Sequence, residues 1–168
     1  MTTRREQIIE WIDALDTPDA IRQRQLRAKL VEHGNEHIEM LVANLTLVGP
    51  DVRRSLIQVL GHLGGHRALL PLMRYIWDER GNASESDGRA LAMKAVMQLA
   101  GEENTEKLFD FATDLLGDDD PFVRGYAYLM LGHLDDPRTV PIIEEGLDDS
   151  NEFARKKAAE ALDDATDE

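Results

Sequence analysis

The sequence predicts an all-α chain, a superhelix of about five helical hairpins stacked along one axis. One reason is internal repetition. The segment Asp51-Val52-Arg53-Arg54-Ser55-Leu56-Ile57-Gln58-Val59-Leu60-Gly61-His62-Leu63 aligns with Phe122-Val123-Arg124-Gly125-Tyr126-Ala127-Tyr128-Leu129-Met130-Leu131-Gly132-His133-Leu134. Both read Val-Arg, an apolar stripe, then Leu-Gly-His-Leu. A second reason is the period. Arg22, Arg53, Arg89, Arg124 and Arg155 lie 31, 36, 35 and 31 residues apart, the length of one hairpin. A third is composition. Aromatics are only 5%, so the core must come from Leu, Ile, Val, Ala and Met, which suits packed helices. No segment alternates as a strand does.

The punctuation gives the elements in order. Helices are expected at 3–14, 18–33, 36–47, 50–63, 66–78, 86–100, 104–116, 120–134, 137–147 and 150–164. Thr17-Pro18, Gly49-Pro50, Asp120-Pro121 and Asp136-Pro137 each put proline at a helix start. Pro71 and Pro141 fall in the first turn of second helices, where a missing N–H costs little. Gly34, Gly61, Gly64, Gly65, Gly101, Gly117 and Gly132 fall at or near helix ends. The polar stretch 79–86 reads as a surface loop. The acidic tail 163–168 frays and caps the stack. Residues 1–168 form a single repeat domain in this reading.

Charge narrows the function. The net charge is −14, and it is lopsided: residues 1–84 hold 11 basic and 11 acidic side chains, whereas 85–168 hold 8 and 22. Such a surface repels phosphate backbones and anionic lipid, so nucleic acid and membrane are excluded as partners. It favours a basic protein, or simple solubility. The chain has no cysteine, which removes disulfides, thiolate zinc sites and cysteine nucleophiles. The charged segment from Met1 to Trp11 lacks an apolar core, and no apolar run approaches a bilayer's width. The expected location is the cytoplasm.

Asp120 to Leu147, with Asp-Pro-x-Val-Arg, an apolar helix, Leu-Gly and Asp-Pro-Arg-x-Val-Pro, resembles the short HEAT-like repeats named from phycobilisome lyases. Asp51 to Met73 is a second match, and the resemblance covers most of the chain more loosely. It implies a HEAT-like solenoid that binds another protein as a scaffold. It implies two alternatives as well: a bilin-lyase-like accessory protein, or a metal-dependent HEAT-repeat hydroxylase. The hydroxylases hold two irons through His-Glu dipeptides, and this sequence has none. It has Glu32-His33 and Glu36-His37 in reversed order, within one repeat.

Other constellations give no chemistry. His33-Gly34-Asn35-Glu36-His37 matches H-x-x-E-H, but Gly34-Asn35 breaks the helix that zinc ligation needs. Glu102-Glu103, Asp118-Asp119-Asp120, Asp135-Asp136 and Asp148-Asp149 recur at turns, where carboxylates cap helices and hold water. No catalytic residue, metal or cofactor is assigned. His62 and His133 share a repeat position near a helix C-terminus and read as caps, or as two residues facing one groove.

The repeated arginines Arg22, Arg53, Arg89, Arg124 and Arg155 read as a structural ladder. Each sits in a first turn, unfavourable toward its own helix dipole unless it reaches an acid or a helix end next door. The architecture implied by the resemblance puts second helices on the concave face. The partner surface is then Arg74, Tyr75 and Trp77, Lys107, Asp110, Phe111 and Asp114, with Glu144 and Glu145. The Arg-rich helix around Arg22, Arg24, Arg27 and Lys29 and the acidic last repeat also allow weak head-to-tail self-association.

Overall fold

A computed structural model describes residues 2–99 and 104–166. The expected helix end at residue 100, Gly101, the pair Glu102-Glu103 and the tail residues Asp167 and Glu168 lie outside them. Among the described residues there are ten α-helices and no strand. They are α1 (Arg4–Ala14), α2 (Ala20–His33), α3 (Ile38–Asn44), α4 (Pro50–Leu63), α5 (His66–Asp78), α6 (Ser86–Leu99), α7 (Thr105–Leu115), α8 (Pro121–Gly132), α9 (Thr139–Gly146) and α10 (Glu152–Thr166). Short 3₁₀ turns lie at Asn35–His37 and Ala83–Glu85. No described helix is long and apolar enough to cross a membrane.

Local chemistry sets the starts. Thr3 and Glu6 form a reciprocal capping box on α1: Glu6 N donates to Thr3 Oγ1 at 3.2 Å, and Thr3 N donates to Glu6 Oε2 at 2.7 Å. The Asp19 carboxylate accepts from Ile21 N and Arg22 N, so α2 starts after Pro18 and not on it. Pro50 and Pro121 are first helical residues. Pro71 corrects the expectation. It lies inside α5, because that helix begins on His66, directly after Gly64 and Gly65. Those two glycines, at φ +74° and +84°, make a turn that side-chain-bearing residues rarely adopt.

The helices form two rows around one apolar seam that runs from Ile8 to Ala161. The helices that carry the repeated arginines, α2, α4, α6, α8 and α10, pack on one another in succession. In the other row, α3, α5, α7 and α9, only α3 and α5 pack comparably. Small residues cause the close spacing. A Cβ on Gly61 would lie 2.9 Å from the Ala95 Cβ, and one on Gly132 would lie 2.6 Å from the Ala161 carbonyl oxygen. The glycine of Leu-Gly-His-Leu therefore admits the next repeat's helix. A stack that is tight in one row and splayed in the other curves toward the tight row.

Candidate interaction surface

Three of the five repeated arginines, Arg53, Arg89 and Arg124, reach an acid of the next repeat. Arg53 donates to the Val48 carbonyl at 2.8 Å and to the Leu45 carbonyl, and it pairs with Glu85. Arg124 donates through Nε and Nη2 to the Asp149 carboxylate, both at 2.8 Å, and through Nη1 to the Asp118 and Asp119 carbonyls. Arg155 donates to the Asp149 carbonyl at 2.6 Å. In each case a cation meets carbonyls at the end of one hairpin, and for Arg53 and Arg124 it meets the next repeat's acid as well. Arg124 holds the Asp149 carboxyl below its ordinary value. Arg89 is 2% exposed and donates only from Nη2, to Asp120 at 2.7 Å, while its Nε and Nη1 have no partner. Arg22 is exposed, outside this chain of contacts.

The tight row is also where the surface is hollowed. Four hollows of about 380, 260, 330 and 220 Å³ are lined almost wholly by α2, α4, α6, α8 and α10. Most of their walls fall at four distances from the ladder arginine. Two residues before it stand Asp51, Asp87, Phe122 and Phe153. Two after it stand Arg24, Ser55, Leu91 and Tyr126. Five after it stand Arg27, Gln58, Lys94, Leu129 and Glu160. Nine after it stand Val31, His62, Gln98, His133 and Asp164. Phe122 is 50% exposed and packs on Phe153 at 4.6 Å between ring centroids, with Tyr126 at 6.1 Å on the same ring. His62 and His133 are both exposed and line hollows of this one row. His62 Nδ1 is 2.7 Å from the Gln58 carbonyl.

The surface expected from the sequence lies elsewhere. Arg74, Trp77, Lys107, Asp110, Phe111, Asp114, Glu144 and Glu145 stand on α5, α7 and α9, in the other row, and line none of these four hollows. Tyr75 is a correction in its own right. It is buried, and its hydroxyl donates to Glu85 at 2.7 Å. Burial, and then the Glu85 carboxylate, push that hydroxyl's pKa upward. Trp77 is 41% exposed and carries the Arg80 guanidinium 3.6 Å from its ring centre. Phe111 packs half-buried against the core. Lys107, Asp110, Asp114, Glu144 and Glu145 are exposed.

His33 ends α2 and stacks 5.6 Å from Trp11, whereas His37 sits in the following 3₁₀ turn, so the two imidazoles do not share one helix face. Among the described residues no group of three or more His, Asp or Glu side chains could hold a metal ion.

Residues 82–163 match a protein-family model described as HEAT repeats. The fold is HEAT-like. The match spans the hairpins of α6 to α9 and most of α10, and the row packing extends the same arrangement through α2 and α4. No curated protein matches the chain.

Proposed function

We propose that the protein is a non-enzymatic interaction module, one HEAT-like repeat domain over residues 1–168, that holds a segment of a partner protein along its inner row. The observation that carries this is the coincidence of hollows, exposed rings and tight helix spacing on the same five helices. Exposed aromatic side chains beside hollows are the usual anchors of a protein interface. The acid excess of residues 85–168, with Asp87, Glu160 and Asp164 on the inner row, supports a partner that is basic where it meets α6 to α10. A cysteine-free, charged sequence suits work in the cytoplasm.

Affinity capture with the whole chain tests the proposal. Wild type and Trp77→Ser should recover the same basic-surfaced protein, and Phe122→Ser should lose it while keeping its helical circular dichroism. An aromatic anchor is worth on the order of 2 kcal/mol, roughly thirtyfold in affinity. Capture kept by Phe122→Ser and lost by Trp77→Ser would move the partner to the splayed row. Recovery of a phycobiliprotein subunit would carry the bilin-lyase reading instead.

A further inference from the structure

The largest of the four hollows lies at the other end of the row from the aromatic cluster, between α2 and α4. It measures about 380 Å³ and is lined by Arg24, Arg27, Ala28, Val31, Glu32, Gln58, Val59 and His62. Its cations are uncommitted. Among the described residues Arg24 makes no ion pair or side-chain hydrogen bond, and Arg27 donates only to the Ser55 hydroxyl at 3.3 Å. Every other arginine lining the row's hollows has a carboxylate: Arg54 pairs with Asp51, and Arg89 with Asp120. Beside these two guanidiniums, neither of them paired with a carboxylate, lie the exposed Ala28 and the half-buried Val31, an apolar floor open to solvent above the buried Val59.

We infer that this hollow receives an acidic segment of the partner, with carboxylates on Arg24 and Arg27 and an aliphatic or aromatic side chain on Ala28 and Val31. Guanidinium forks match carboxylates in geometry as well as charge. The apolar floor selects a peptide over a bare anion, because an anion alone leaves Ala28 and Val31 uncovered. Glu32, on the rim, is 3.7 Å from its neighbour His33 and offsets part of the charge of the arginines. The inner row is then polar along its length: Arg24 and Arg27 without a carboxylate at α2, and at α10 Asp164 beside Glu160, which pairs with Lys157. A bound segment, acidic at one end and basic at the other, can lie in only one direction. This inference rests on the inner row being the partner's seat.

Fluorescence polarisation with the whole chain separates the two. The probe is a short labelled peptide of Asp, Glu, Leu and Phe, beside the same peptide with Lys in place of its acids. The acidic probe should bind wild type and Phe122→Ser alike, weaken at high salt, and bind Arg24→Glu/Arg27→Glu at least about tenfold more weakly. Equal binding to that double variant, equal binding of the lysine probe, or no binding to wild type overturns the inference. If Phe122→Ser still loses the captured protein in those cases, the inner-row reading survives alone. Concentration-dependent self-association that the double variant abolishes would make the acidic end of α10 in a second copy the occupant, and would overturn a separate partner.

Discussion

Arg124 and Arg89 occupy the same repeat position and are held very differently. Arg124 follows the tight turn between α7 and α8, which points the Asp118 and Asp119 carbonyls at its guanidinium. On its other side the Asp149 carboxylate, its side chain 6% exposed, accepts two bonds. Arg89 follows the longer polar stretch at 79–85. There the 3₁₀ turn Ala83–Glu85 delivers no carbonyl to it, and the Glu85 carboxylate is taken by Arg53 and Tyr75. Arg89 is left with one partner and two unanswered nitrogens, Nε and Nη1. An arginine at the repeat position becomes an anchor only where the preceding loop supplies acceptors. Loop geometry, more than the repeated residue, decides how strongly neighbouring hairpins are joined.

The sharpest way to break that comparison is Arg124→Met. It removes the guanidinium bonded to the buried Asp149 carboxylate and leaves only the more distant charge of Arg155, and removing one member of a buried pair typically costs about 3–5 kcal/mol. Urea unfolding should show that loss, and a change below about 1 kcal/mol would sink the claim that this joint is strong. The pH dependence carries the same information with a definite sign. Asp149 titrates below its ordinary 3.8 in the folded chain. A depressed folded value means that its contribution is fully present above about pH 4 and disappears as pH falls through the lower folded value. In Arg124→Met the largest cause of that depression is gone, while the Asn151 N–H and the Arg155 charge remain, so the acid limb of the stability profile should become shallower.

A smaller effect sharpens the account of why the inner row is tight. Gly132→Ala drives a Cβ to 2.8 Å from the Ala161 Cα and 2.6 Å from its carbonyl oxygen, a backbone that cannot step aside as a flexible side chain can. Overpacking of this kind costs about 1–3 kcal/mol. Gly117→Ala, whose Cβ would meet nothing nearer than 3.7 Å, is the control and should unfold close to wild type. Equal loss from both would show that the α8–α10 contact does not depend on the missing side chain.

The hairpin period, the helix starts at Pro50 and Pro121, and the arginine positions were legible because each is a local signal. The inner face was not. Which row lies inside depends on helix spacing, and that follows from pairs such as Gly61 with Ala95 and Gly132 with Ala161, about 30 residues apart and silent in any single helix. Tyr75 was misread for a similar reason. Trp77 and Arg74 around it are exposed, and only the fold brings Glu85 to its hydroxyl and leaves Gly88 without a side chain to block the approach. The proposed binding surface did leave one trace in the sequence. Counted from each ladder arginine, the residues two, five and nine places on vary freely in type yet share a surface. Variable positions at helical spacing inside a constant repeat mark the face that meets something other than the repeat itself.

Arg89→Met is the smallest expected change and the most telling against a uniform ladder. Methionine keeps most of the apolar stem. It removes one charge-assisted bond, worth about 1.5–3 kcal/mol, and two buried unanswered donors that each cost about 1–3 kcal/mol. These oppose one another. Asp120 is not stranded, because its side chain is 21% exposed and still caps α8 through Phe122 N at 2.9 Å. Urea unfolding should therefore place Arg89→Met within about 1 kcal/mol of wild type, well short of the loss in Arg124→Met. If the two variants fall equally far, the repeat position itself carries the coupling, and the loop before α6 is irrelevant to it.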